Sequence, residues 1–348
     1  LKNGVKFMDK LQVKKLDKKF YKKYEIFLLE FTESLLYYST KYKDFLEELL
    51  NVESNYLMVV DESNNIQAIL PIMQKEGTLG TIINTLPYYG SNGGIIAKND
   101  DAYNVLLNYY DELANTVSGA TYINNPLNIN KEKVSHDYSD IRIGHWTSLE
   151  KTDDIPRSVM TSYHSKTRNL VRKAIKSNVE VSIDNNEKKF LYQTHVENMQ
   201  SVGGIAKEKM FFDLLDKHFT AGEDYNIYIA KYEGKKIGAI LLFYYNQTVE
   251  YFTPVAVSEY RNYQSTSLMV YQAMIDAIEK NYTWWNWGGT WLSQDGVYHF
   301  KSRFGAIDKK YSYFIKINNK DIYYATKEKL LNEYQNFYVI PFDKLRSV

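Results

Sequence analysis

One order of elements is written twice in this chain, and that doubling limits its fold more than any single motif. Over the first 50 residues Phe20, Tyr24, Phe27, Leu28 and Phe31, then Phe45, Leu46, Leu49 and Leu50, recur at helical spacing. Strand-like runs at 56–60 and 66–73 flank the polar turn Asp61-Glu62-Ser63-Asn64-Asn65. A third run, 79–86, ends at Pro87 and opens into the loop Tyr88-Tyr89-Gly90-Ser91-Asn92-Gly93-Gly94. A helix over 100–117 and a strand over 121–124 complete the series. The second half repeats it, with helices at 165–176, 187–200 and 207–219 and a hairpin of 226–232 with 236–245. A strand at 248–257, a helix at 265–280, a strand at 284–287, a short helix at 295–303 and a strand at 311–317 follow. The hairpins share letters, Ile66-Gln67-Ala68-Ile69-Leu70 against Ile237-Gly238-Ala239-Ile240-Leu241. The pattern predicts an α/β (α+β) chain of two similar units, 1–154 and 155–348, each a mixed twisted sheet flanked by helices. The boundary falls in the polar stretch Lys151-Thr152-Asp153-Asp154-Ile155-Pro156.

Composition narrows the function. With 44% hydrophobic and 24% charged residues, the 348-residue chain is globular, and its length suits two domains. Lys and Arg (43) balance Asp and Glu (42), so any anionic partner must meet a local patch rather than a generally basic surface. That argues against DNA. Cysteine is absent, which removes thiolate nucleophiles, disulfides and Cys-based metal sites together and fits a reducing, cytoplasmic setting. Six scattered His without HExxH spacing argue against a metal enzyme. No apolar run reaches the roughly 18 residues that a span needs, and the lysine-rich start has no apolar core of a secretory signal. Opening at Leu1 rather than Met, the sequence is read as lacking a few native residues. No GxxxxGK[ST] or GxSxG motif occurs.

Three segments could carry chemistry. Between residues 155 and 179 stand six cations, Arg157, Lys166, Arg168, Arg172, Lys173 and Lys176, and no acid. Arg168, Arg172 and Lys176 form one helical stripe, opposite Tyr163, Thr167, Leu170, Val171 and Ala174. The stripe reads either as a solvated face or as an anchor for a substrate phosphate. The second segment carries Trp284, Trp285, Trp287 and Trp291 around Gly288-Gly289, then the helix of Tyr298-His299-Phe300-Lys301-Ser302-Arg303-Phe304-Gly305. Val297, Phe300 and Phe304 are spaced to face the core, with His299 and Lys301 flanking them. The tryptophans are either core or the walls of a flat cleft, Trp287 among them. The third segment, Arg261 to Ser267, precedes a helix whose first N–H groups suit an anion, and Thr253-Pro254 before it should make its strand bulge or splay.

Together these pieces resemble the GNAT acyltransferase fold, and two copies in tandem look like the FemAB-type peptidoglycan-bridge transferases. The resemblance rests on Lys166-Thr167-Arg168-Asn169 with Arg172-Lys173-Ala174, on Leu86-Pro87-Tyr88-Tyr89-Gly90 leading to Gly93-Gly94, and above all on residues 298–305. It implies two tandem GNAT-like domains and an acyltransferase of surface-polymer biosynthesis with no tightly bound cofactor. Its cosubstrate would be acyl-CoA or aminoacyl-tRNA and its acceptor a nucleotide-linked or muropeptide envelope precursor. Two departures stand out. No long paired-helix insertion interrupts the second half, and residues 261–267 lack the glycines of the usual GNAT pyrophosphate loop.

The roles that follow are expectations. Lys301 is the principal catalytic candidate, with His299 beside it; Arg261, Gln264, Ser265, Phe300 and Lys301 would hold the donor. Tyr89, Asn92, Arg168, Arg172 and Trp287 would meet the acceptor. No strong general base is visible, so the resemblance implies substrate assistance, with positioning supplying most of the rate. The near-zero net charge favours acyl-CoA, whereas Phe300-Lys301 and the basic helix favour aminoacyl-tRNA. A different class, an inactive module on the same scaffold that binds carbohydrate, nucleotide-sugar or tRNA, stays open.

Overall fold

The computed structural model describes residues 11–88, 92–128, 134–290 and 295–346. The chain forms two compact units: residues 1–141 with 311–348, and 142–310. The division expected between residues 154 and 155 therefore falls elsewhere. The chain leaves the first unit inside one strand and returns to it inside another, and the sequence between and after them gives no local sign of this.

In the first unit, β1 (Gln12–Lys15) leads into α1 (Tyr21–Leu29) and α2 (Thr40–Leu50). There follow β2 (Glu53–Ser54), β3 (Leu57–Val60), β4 (Ile66–Leu70), β5 (Met73–Gly77), β6 (Gly80–Asn84), β7 (Ile96–Ala97), α3 (Asp100–Thr116) and β8 (Gly119–Ile123). The 3–4 hairpin closes where Asp61 accepts from the N–H groups of Ser63 and Asn65. β1, β3, β4 and β7 pair in that order, and β8, β6, β5 and β2 in another. β6 and β8 are parallel, with α3 as the crossover between them. Its apolar face, Ala102, Leu106, Leu107, Tyr110 and Ala114, packs on Val59, Ala68, Leu70, Ile83 and Ala120.

The second unit begins within β9 (Tyr138–Ser148), then α4 (Ile155–Ser162), α5 (Ser165–Lys176), β10 (Glu180–Ile183), α6 (Lys188–Ser201), α7 (Lys209–Asp213) and α8 (Leu215–His218). Next come β11 (Tyr225–Tyr232), β12 (Lys235–Tyr245), β13 (Thr248–Ala256), α9 (Ser265–Glu279), β14 (Trp284–Thr290) and α10 (Asp295–Ser302). The chain returns to the first unit within β15 (Ile307–Ile317), which pairs with β8, and ends with α11 (Lys327–Glu333). The sheet order is β10-β11-β12-β13-β14-β9. β13 and β14 are parallel, joined by α9. Strand, crossover helix and parallel strand therefore occur in each unit, as the repeated sequence order implies.

The Thr253-Pro254 strand behaves as its proline requires. Leu241 pairs with Thr253 and Leu242 with Tyr251, so Phe252 is the extra residue of a bulge. β13 pairs with β14 only over Thr248–Glu250, and past that point the two strands diverge. Asn198 of α6 bonds the freed edge of β13, donating to the Ala256 carbonyl at 2.9 Å and accepting its N–H at 3.0 Å.

Candidate functional site

The strand that loses β13 as a neighbour bends against the other. β14 pairs with β9 through Trp284–Asn286 and again at Gly289 and Thr290, with a register shift between. Asn286 shapes this bulge. Its Oδ1 accepts the Gly288 N–H at 2.8 Å, and its Nδ2 donates to the buried carboxylate of Glu250 at 2.7 Å. Gly288 sits at φ +75°, where a side chain is disfavoured. The turn aims backbone carbonyls at Lys301 of α10, whose Nζ donates to Gly289 O and Thr290 Oγ1, both at 3.1 Å. Gly288 O lies at 3.4 Å.

Lys301 is only 7% exposed. Burial pushes its ammonium down from 10.5 to about 8, since the charged form loses hydration that neutral acceptors replace only in part. A charge held by dipoles rather than by a carboxylate keeps its field available to a ligand. His145 of β9, wholly buried, lies close enough that the Lys301 charge adds to burial in holding its pKa down, against the opposing pull of Asp308. Its Nδ1 is 3.2 Å from Asp308 Oδ1, Tyr298 donates to Asp308 Oδ2 at 2.9 Å, and the His145 and Tyr298 rings meet edge to face at 5.1 Å.

Several expected residues sit elsewhere. His299 is exposed, so the histidine beside Lys301 is His145. Trp287 is core and not a cleft wall: it is 2% exposed, packs on Tyr251, Phe300 and Phe304, and donates to Thr147 Oγ1 at 2.9 Å. Trp285 is equally buried, and Trp291 lies outside the described residues. Val297 does not face the core, being 43% exposed, whereas Phe304 does and Phe300 packs against its edge. Arg261 is exposed on a 3-10 turn, Ser258–Tyr263, and Gln264 follows it in the left-handed region at φ 59° as the cap of α9. Ser265 is buried, with its Oγ turned toward β12, so it serves packing rather than a donor.

Arg168 and Arg172 do share a face of α5. With Arg157, Met160 and Tyr271 they line an open groove of ≈ 580 Å³. Arg168 donates to the Tyr163 carbonyl at 2.5 Å, and the Tyr163 ring meets Phe304 at 5.0 Å, so the groove is linked by packing to the turn that follows α10.

In the first unit, the loop after β6 is strained at two non-glycine residues, Leu86 at φ 75° and Tyr88 at φ 81°. Tyr38 donates to the Gly93 carbonyl, and a Cβ at Gly93 would collide with the Thr85 backbone. Asn92 is 4% exposed, and its Nδ2 has no hydrogen-bond partner among the described residues. Tyr89 falls outside the described residues.

Two further groups, half-buried Lys207 and buried His195, escaped sequence reading besides His145. Lys207, between α6 and α7, is pushed down to about 8 by burial, and its Nζ lies 5.3 Å from the centre of the bulged Phe252 ring. His195 is pushed down to about 4 and accepts the Lys207 N–H at Nε2, 3.0 Å. Nothing in their spacing marks them, because the bulge that places Phe252 beside Lys207 is tertiary. Among the described residues no cluster could hold a metal ion, and no helix is long and apolar enough to cross a membrane.

The FemAB family model matches residues 223–329, from the start of β11 into α11 and so across the splayed strands and α10. No curated protein matches. Among solved structures, FemX superposes with a TM-score of 0.68 at 14% identity, over 90% of this chain and 98% of that one. A conserved protein of unknown function from Bacteroides thetaiotaomicron gives a TM-score of 0.59 at 10% identity, over 88% of this chain and all (100%) of the other. A tandem GNAT protein from the clavulanic acid biosynthesis pathway gives 0.51 at 9%, over 88% and 98%. At such identities the likeness establishes the fold, and in fold this chain resembles the FemAB-type and tandem-GNAT proteins.

Proposed function

We propose that this chain is an N-acyltransferase that moves an acyl or aminoacyl group, from acyl-CoA or aminoacyl-tRNA, onto an amine of a cell-envelope precursor. The observation that carries the reading is the buried Lys301 ammonium, held by the Gly289 carbonyl and Thr290 beside the divergence of β13 and β14. The FemAB match over that region and the FemX-like fold support it.

In this reading the acceptor nitrogen bonds to the acyl carbon, and charge collects on the former carbonyl oxygen. Lys301 stabilises that oxyanion, which strengthens the interaction as the transition state forms. Collapse breaks the C–S bond to CoA or the C–O bond to the tRNA ribose, and the amine's proton passes to the departing sulfur or oxygen. Burial and the Lys301 charge both disfavour the imidazolium of His145, which limits competing positive charge at the site. Arg168 and Arg172 take the acceptor's phosphate, and Arg261 with the backbone at the start of α9 takes phosphate on the donor. Phe300 holds α10 in place against Trp287.

A thermal-shift panel of acyl-CoAs, UDP-linked muropeptides and nucleotide-amino sugars tests the reading, paired with transfer of labelled alanine from alanyl-tRNA. A ligand at a hundred times its Kd adds about 2.7 kcal/mol to stability and raises the melting point. Stabilisation by a muropeptide together with label transfer supports the proposal. Stabilisation by a sugar ligand, with no transfer from any donor, would assign the chain to the inactive binding class instead.

A further inference from the structure

Among the described residues, helix α1 carries an outward stripe that the rest of its unit leaves exposed. Tyr24, Phe27 and Leu28 are buried, whereas Ile26 is 53% exposed and Leu29 60%. Lys22, Ile26 and Leu29 are spaced i, i+4 and i+7, which puts them on one face of the helix. The residues leading into α1 supply charge. Lys14, Lys15, Lys18, Lys19, Lys22 and Lys23 stand against the single acid Asp17 between residues 12 and 23.

Folding gathers these lysines. Lys14 Nζ donates to Asn64 Oδ1 at 2.7 Å and Lys23 Nζ to the Asn64 carbonyl at 3.2 Å. With Lys15, Lys19 and Phe20 they line an open depression of ≈ 420 Å³. Two nearby acids are already paired with lysines, Asp17 with Lys19 at 2.9 Å and Glu30 with Lys98 at 2.6 Å, whereas Glu25, which accepts from the Thr40 N–H and hydroxyl at 2.6 Å, keeps its negative charge. Glu62, in the hairpin turn, is exposed. Lys22 shares the face of Ile26 and Leu29, and Lys23 joins that face to the lysine-lined depression, so lysines outnumber acids around two large exposed aliphatic side chains.

We propose that this face docks the protein on an anionic lipid bilayer, the lysines at the level of the lipid phosphates and Ile26 and Leu29 in the boundary between headgroups and acyl chains. RNA phosphates would also attract the lysines, but a phosphodiester backbone offers nothing to an exposed aliphatic pair. The inference rests on the first unit's surface and is independent of the transferase reading.

Co-sedimentation of the full chain with phosphatidylcholine vesicles, with and without phosphatidylglycerol, tests it. Binding is expected only to the phosphatidylglycerol vesicles, and it should weaken as salt rises. Replacing Lys18, Lys19, Lys22 and Lys23 together by Gln should lower vesicle affinity about a hundredfold or more. The pair Ile26→Ser and Leu29→Ser should lower it about tenfold with the salt dependence unchanged. Replacing the four lysines by Arg should retain binding, which separates loss of charge from loss of fold. Failure of the wild-type chain to bind anionic vesicles overturns the proposal, as does undiminished binding by the Ile26/Leu29 variant. A tRNA gel shift that depends on the same lysines, without vesicle binding, would assign the face to RNA and overturn it equally.

Discussion

Lys301 Nζ and the Gly289 carbonyl oxygen are 3.1 Å apart, and that contact joins a buried charge to a fault in the sheet. Pro254 and the Phe252 bulge turn β13 away, β14 loses β13 as a neighbour beyond Asn286, and Asn286 then bends the backbone so that its carbonyls point at α10. The ammonium is held where a reacting carbonyl could approach it through the gap. Each step is local, and the sum is a site.

If Lys301 acts as a cation, Lys301→Met should abolish transfer while changing the melting temperature little. Wild-type activity should fall as pH rises through about 8, where the lysine loses its proton. A rate profile flat from pH 7 to about 9.5 would remove Lys301 from the chemistry.

The same shift appears in stability with a definite sign. Lys301 binds its proton less tightly folded, at about 8, than unfolded, at 10.5, so the penalty is complete below 8 and relieved as pH climbs toward 10.5. Over that window the wild-type chain should gain up to about 3 kcal/mol relative to Lys301→Met. Urea midpoints of the two proteins at several pH values measure the difference.

Gly288→Ala tests the bulge. A Cβ there meets open space, so the cost comes from φ +75° alone, about 1–2 kcal/mol. Relaxing the turn should also withdraw the carbonyls from Lys301, lowering kcat more than it raises KM. Steady-state kinetics beside a denaturation curve would separate the two effects.

His195 should make the fold sensitive to mild acid. Its folded pKa, about 4, lies below the ordinary 6.5 because burial disfavours the imidazolium and Lys207 repels it. Its contribution is complete above 6.5 and is lost as pH falls toward 4, up to about 3 kcal/mol. His195→Gln keeps an acceptor for the Lys207 N–H and should flatten stability over that window in chemical denaturation.

Elements with their own side-chain rhythm were legible in the chain. The β11–β12 hairpin and the helices α3, α5, α9 and α10 fall close to where periodicity and turn residues put them. Thr253-Pro254 announced the bulge because proline cannot serve a regular ladder. β9 was not legible: Ile141 is 49% exposed while Arg142 is 5% exposed, the reverse of what an alternating pattern signals. His145, which lies on this strand, was invisible with it. Identity at position 301 was readable, but its burial was not.

The sequence alone determined the repeated order of elements, the proline-driven divergence of a strand and a lysine on the helix that follows it, because these depend on residues near one another in the chain. Tertiary structure alone decided that Trp287 is core, that His145 and Asp308 stand near Lys301, and that residues 311–348 fold with the first unit. Burial, and the pKa shifts it causes, are set by atoms distant in sequence, so no reading of neighbours along the chain could supply them.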